Sequence, residues 1–99
     1  MARFDVYGQK GGGCLVLDCQ ADLLSDLNTR FVVPLLPLEE APRPAARLNP
    51  VFNVEGERLV MVTQFASAMA VKELGQKRLS LAQEQDAIGM ALDMLMSGF

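Results

Sequence analysis

Side chains that commonly do chemistry near neutral pH are sparse in this sequence, and their spacing narrows what they can do. Histidine is absent, which removes the commonest general base and metal ligand. Any catalysis would then fall to carboxylates or to a nucleophile without an imidazole. The adjacent carboxylates Glu39 and Glu40 sit in PLEEAPRPAARLNP, from Pro37 to Pro50, whose prolines and mixed charges describe an exposed, solvated bend. Cys14 and Cys19 lie five apart in the extended run CLVLDC, so they point to opposite faces, too far apart for a bridge, and are read as buried reduced thiols. A zinc site would need further Cys or His ligands. Gly11, Gly12 and Gly13 have the composition of a phosphate cradle. The strand-loop-helix context and the Gly-Lys-Ser/Thr ending are missing, so a flexible hairpin loop is expected instead. No catalytic residue, metal or cofactor is expected. The chemistry left to this chain is binding.

The bulk properties agree. Ninety-nine residues, 51% of them hydrophobic, predict one domain over residues 1–99 with a modest core. The net charge is −3 and the basic residues are scattered, so direct nucleic-acid binding is not expected. No apolar run approaches the roughly 18 residues of a spanning helix, and MARFDVYGQ lacks a signal layout. A cytoplasmic protein without a membrane partner is predicted.

The element that organises the chain is SLAQEQDAIGMALDMLMSGF, Ser80 to Phe99, read as one helix. Ser80 would be its N-cap, Gln83 would complete a capping box, and Glu84 and Asp86 would complement the dipole. Leu81, Ile88, Leu92, Leu95 and Phe99 follow steps of seven, four, three and four, one face at the helical period, which should pack on a sheet. Met90, Ala91, Met94 and Met96 make the later turns apolar on nearly every side. Either a larger core takes Met as filler or that surface meets a second copy or another partner. Gly98 and Phe99 form a small tip with one aromatic, a shape suited to insertion.

Upstream the pattern is mainly strands. Arg3 to Tyr7 alternates, with Phe4 and Val6 inward and Tyr7 outward. Gly8 to Gly13 turns the chain into Cys14–Cys19, a hairpin. QADLLSDLNTR reads as a turn in which one of Leu23 and Leu24 is buried and the other exposed. Phe31 to Leu36 is a strand in which Pro34 implies an edge or bulge and a bend. Val51–Val54 and Glu57–Val62 flank Glu55-Gly56 as a second hairpin, and Ala68–Lys72 is a further short strand. Leu74–Leu79 is read as a loop leading to the helix.

Read together, these residues resemble the CcdB family, cytotoxins of bacterial type II toxin-antitoxin modules whose target is DNA gyrase. The resemblance runs nearly end to end. It is carried by Phe4-x-Val6-Tyr7, Asp18-x-Gln20-x-Asp22-Leu23-Leu24, Arg30-x-Val32-Val33-Pro34-Leu35, and Ala91-Leu92-Asp93-Met94-Leu95-Met96 before a glycine and one apolar residue. It implies an α+β, mainly β fold: a small antiparallel SH3-like barrel with one C-terminal α-helix, in a homodimer. It also implies a topoisomerase poison that binds the gyrase A subunit and traps the gyrase-DNA cleavage complex without chemistry of its own. The implied gyrase contacts are Leu23, Leu24, Asp93, Met96, Ser97, Gly98 and Phe99. A CcdA-like antitoxin is the implied second partner, with Tyr7, the loop Gln9–Gly13 carrying Lys10, and the region before the helix as its contacts.

Two positions depart from the family pattern. Asp93 stands where the best-known members carry asparagine, which replaces a donor-acceptor by an acceptor alone. Ser97 stands where they carry a tryptophan that stacks on an arginine of the gyrase A subunit, and this chain has no tryptophan. Truncating such an anchor commonly costs about 2 kcal/mol or more, roughly thirtyfold in affinity. The resemblance thus leaves two alternatives: a homologue that has lost toxicity and mainly binds antitoxin, and an endoribonuclease of the MazF family, which shares the fold. The acidic balance and the missing histidine weigh against the second.

Overall fold

The computed structural model describes residues 2–98. Seven strands, β1 (Asp5–Gln9), β2 (Leu15–Asp18), β3 (Thr29–Pro37), β4 (Val51–Val54), β5 (Glu57–Met61), β6 (Ser67–Ala70) and β7 (Leu74–Ser80), precede one helix, α1 (Gln85–Ser97). The strands form one sheet in the order β4-β5-β3-β2-β1-β7, with β6 paired to β3 off this path. Every pairing is antiparallel, and the fold is the expected mainly-β barrel-like sheet with one C-terminal helix. Registers such as Leu17↔Val33 and Leu15↔Leu35 put apolar side chains side by side on one face. On that face Ile88 and Ala91 of α1 pack against Phe4, Val6, Leu17, Val33, Leu35, Phe52, Leu59 and Met61.

The second face is covered too, which overturns the outward-facing Tyr7. Tyr7, Val16, Val32 and Leu74 form a smaller buried cluster with Met69 against it. The Tyr7 hydroxyl donates to Asp5 Oδ2 at 3.4 Å. Alternation marks which side chains share a face, but it cannot say that β6 and β7 supply a cover for the other one.

Leu74–Ser80 is the strand β7 rather than a loop. Its exposed Gln76, Lys77 and Arg78 suit an edge, where charge discourages further pairing. Gly75 within it marks a close approach: a Cβ there would stand 3.1 Å from the Gly8 carbonyl oxygen on β1. The pairing Asp5↔Ser80 and the hydrogen bond from Leu81 N–H to Phe4 O at 2.8 Å keep the chain in the sheet through residue 81. That is why the expected capping box does not form. The Ser80 hydroxyl oxygen accepts from Ala82 N–H at 3.1 Å, a 3₁₀ turn spans Ala82–Glu84, and α1 starts at Gln85 without a side-chain cap. Gly98, at φ 83°, closes the helix by donating its N–H to Met94 O.

Pro34 is likewise central, not at an edge, and its strand runs unbroken from Thr29 to Pro37. It pairs with Val16 of β2, while β6 takes residues 29–32 and β5 takes 35–37 on the other side. An extended residue directs N–H and C=O the same way, and Pro34 O accepts from Val62 N–H. Its missing donor therefore faces the junction of β5 and β6, where no ladder partner waits. The Val54–Glu57 hairpin has its turn as expected, with Glu55 and Gly56 both at positive φ, the I′ arrangement that suits strand twist. From this turn Glu55 meets Arg78 of β7, Nη2–Oε1 2.5 Å and Nε–Oε2 3.2 Å, so the two ends of the strand order meet through side chains.

Candidate functional site

The segment between β2 and β3 carries two apolar side chains that the fold does not use, and three polar residues hold it in place. Asp18 and Arg30, both fully buried, make an ion pair across β2 and β3: Arg30 Nε donates to Oδ2 at 2.9 Å and Nη2 stands 2.7 Å from the same oxygen. Nη1 finds no acceptor among the described residues. Asp18 Oδ1 accepts the Gln20 N–H at 3.0 Å, turning the chain out of β2. The Gln20 side-chain amide then spans the segment, its Oε1 accepting from Phe31 N–H at 2.9 Å and its Nε2 donating to Leu24 O at 3.0 Å. Asp22 Oδ1 accepts from Arg3 N–H at 2.7 Å, tying the segment to the chain ahead of β1. Arg3 in turn donates to Cys19 O and lies over the Phe4 ring, 4.6 Å from its centroid.

On this frame a 3₁₀ turn at Asp22–Leu24 projects Leu23, 92% exposed, and Leu24, 48% exposed. The expectation that one of the two would be buried is corrected. Gln20 and Asp22 hold the backbone from outside the core, so neither leucine is needed as a plug. Leu27 and Phe31 are also exposed and extend the apolar surface. Sequence reasoning missed both, and it missed the role of Arg30. The available signal was the lone Asp18 in an apolar run, set against a lone Arg30 at the start of the next strand.

The second group lies at the end of α1. The expected stripe is replaced there: Ile88 and Ala91 are buried, Leu92 is half-buried, and Leu95 is exposed. Asp93, Met96, Ser97 and Gly98 are exposed, Met96 at 78%, and Met90 on α1 and Phe65 before β6 add further apolar surface. A larger core using Met as filler is therefore not what these residues make. Phe99 lies outside the described residues. No hydrogen bond or ion pair among the described residues joins this group to Leu23 and Leu24. Of the two expected antitoxin contacts, Lys10 is exposed in the β1–β2 loop and Tyr7 is buried.

Both cysteines are free; Cys19 is buried in the main core next to Asp18 in the chain, whereas Cys14 is only half-buried. Burial, with Asp18 adding and Arg3 opposing, pushes the Cys19 thiol from 9.0 to about 12. Burial raises Cys14 and, helped by Asp5 and Asp18, the Tyr7 phenol. Because the folded chain disfavours the Cys19 thiolate, its contribution to stability is intact below pH 9 and is lost as pH rises toward about 12. The loss is at most about 1.4 kcal/mol per pH unit. Urea denaturation on both sides of pH 9 should show the gap between wild type and Cys19→Ala narrowing as pH rises; a constant gap would contradict this.

A sequence-family model described as CcdB protein matches residues 3–98. No curated protein matches the sequence significantly. Among solved structures, the chain is similar to the Mycobacterium tuberculosis toxin MazF-mt6, with TM-score 0.74 and 17% identity over 92% of this chain and 93% of that one. It is also similar to an endoribonuclease in complex with its cognate antitoxin from a mycobacterial species, with TM-score 0.76 and 15% identity over 95% and 92%. At such identities the likeness is one of fold.

Proposed function

Because the chain belongs to the CcdB family, we propose that it is the toxin of a bacterial type II toxin-antitoxin module, a cytoplasmic homodimer that binds the gyrase A subunit and traps gyrase on cleaved DNA. The observation that carries this reading is the pair Leu23 and Leu24, held out of the core by the Asp18, Gln20 and Asp22 frame. Exposed apolar side chains on a braced backbone are what a partner can desolvate without first ordering them. The exposed end of α1, Asp93 and Met96–Gly98, supplies the second contact. The apolar surface of Met90 and Leu95 is assigned to the dimer, and the loop around Lys10 to a CcdA-like antitoxin.

Calorimetric titration against the gyrase A dimerisation domain tests this. Wild type should bind at micromolar strength or better, and Ser97→Trp should bind about thirtyfold tighter, the equivalent of about 2 kcal/mol from a restored aromatic anchor. Binding by Ser97→Trp alone would mean a scaffold disarmed at one residue, and expression without growth arrest would agree. Absence of binding by both would remove gyrase as the target.

A second reading, an endoribonuclease, is favoured by the solved structures of this fold. Against it, RNA cleavage needs side chains that can reach a phosphate, and two polar ones of the sheet, Arg30 and Thr63, are fully buried, Arg30 paired with Asp18 and Thr63 Oγ1 donating to Leu48 O. A cavity between the β1–β2 loop and the β4–β5 hairpin is rimmed by Glu40 and Glu57, which repel phosphate. Cleavage of RNA by the purified protein would reverse the order of the two readings.

A further inference from the structure

At one end of the helix-covered face, between the β1–β2 loop and the β4–β5 hairpin, lies a cavity of about 350 Å³. Its floor is apolar: Leu35 and Leu59 are buried core residues and Leu15 is half-buried. Gly13 and Cys14 form one wall, and Gln9 fixes it, donating from Nε2 to Cys14 O at 2.8 Å and to Cys14 Sγ at 3.7 Å. Gly13 adopts φ 107°, and a Cβ there would meet the same Gln9 amide at 3.5 Å, so this wall is set by specific contacts. The rim carries Glu40 and Glu57, both exposed and without an ion-pair partner among the described residues.

We propose that this cavity is the docking site for a single arginine side chain in an extended segment of a partner protein. Two carboxylates on the rim of one small cavity make its mouth negative, which favours a cation there. A long cationic side chain can lay its alkyl stem on the leucine floor and hold its charged head at the rim. Arginine fits better than lysine, because its planar, weakly hydrated fork can bond a rim carboxylate through two parallel hydrogen bonds. The volume lies at the lower end for ligand sites, room for one or two side chains and not for a nucleotide. The toxin reading enters only as the source of the segment, the antitoxin, whose basic residue would sit between apolar neighbours that cover the floor.

The probe is a short blocked peptide of arginine flanked by leucines, titrated into the full ¹⁵N-labelled chain. Amide shifts should appear at Gly13, Cys14, Glu40, Glu57 and Leu59, and alkylation of the Cys14 thiol should slow. Replacing arginine by citrulline should weaken binding about tenfold, and so should Glu40→Gln with Glu57→Gln in a protein whose melting temperature is unchanged. No shifts at saturating peptide, shifts confined elsewhere, or equal binding of arginine and citrulline would each overturn the proposal. So would the same shifts with a short RNA oligonucleotide. The acidic pair lies outside the proposed gyrase surface, so gyrase binding without peptide binding overturns the docking site alone. Peptide binding without gyrase binding overturns the poison reading alone.

Discussion

Arg30→Ala is expected to lower the stability of the fold by about 3–5 kcal/mol, because it leaves the Asp18 carboxylate buried without a counter-charge. For a domain of this length each kcal/mol moves the melting temperature by about 4–8 °C, so the fall would be about 12–40 °C. Total stabilities of small domains are only about 5–15 kcal/mol, so a large unfolded fraction at growth temperature is the expected outcome. Asp18→Ala should do the same for the opposite reason, stranding the guanidinium. The double variant Asp18→Leu with Arg30→Met should recover most of the loss, since what costs energy is the unpaired buried charge and not the missing pair. Thermal denaturation of the four proteins by circular dichroism makes the comparison. A fall under about 1 kcal/mol in the single variants would mean that water reaches the pair. The double variant should still lose partner binding, because Asp18 also turns the backbone at Gln20.

Leu23→Asp combined with Leu24→Asp is expected to abolish binding to the gyrase A dimerisation domain at nearly unchanged stability. Both side chains are exposed, and exposed substitutions away from special backbone features usually stay within about 0.5 kcal/mol. In the complex each leucine would bury its side chain, at about 1.5–3 kcal/mol apiece, so losing both is worth about 3–6 kcal/mol. That is at least about a hundredfold in affinity before the cost of burying two carboxylates is added. Leu38→Asp, an exposed leucine beyond β3, should leave binding intact and serves as the control. Calorimetry and melting curves on the three proteins decide the matter. Unimpaired binding by the double variant would move the interface away from this turn.

What the sequence could tell depended on how far apart the deciding partners were. The Val51–Met61 hairpin was legible because its turn, Glu55-Gly56, states its own geometry between two short apolar runs. Leu74–Ser80 was not, because its identity as a strand comes from β1, at the other end of the chain, and its local composition is that of a loop. The misplacement of the helix start has the same origin: Ser80 and Gln83 form a valid local cap signal, and a distant strand outbids it for the backbone. Tyr7 was placed outward because alternation specifies two faces and not how many are covered. At the candidate site, the turn itself pointed to one exposed leucine of Leu23 and Leu24, and the family resemblance pointed to both. The brace that holds them out was not, since Asp18, Gln20 and Asp22 act through partners in other segments, among them Arg3 ahead of β1 and Phe31 in β3. The apolar excess of α1 was readable, and its exposure is what the structure adds.

The meeting of Glu55 with Arg78 gives this barrel a seam. No backbone ladder joins β4 to β7 among the described residues, so the ring is completed there by one solvated ion pair, with both side chains about 40% exposed. Such a pair contributes little in water and less as salt rises, whereas every other junction between neighbouring strands must break several amide hydrogen bonds to part. The wall therefore has a weakest join whose position is set, and breathing of the barrel starts there, with β4 and β7 swinging apart before any strand leaves its neighbour. Water and small reagents would enter the core by that opening.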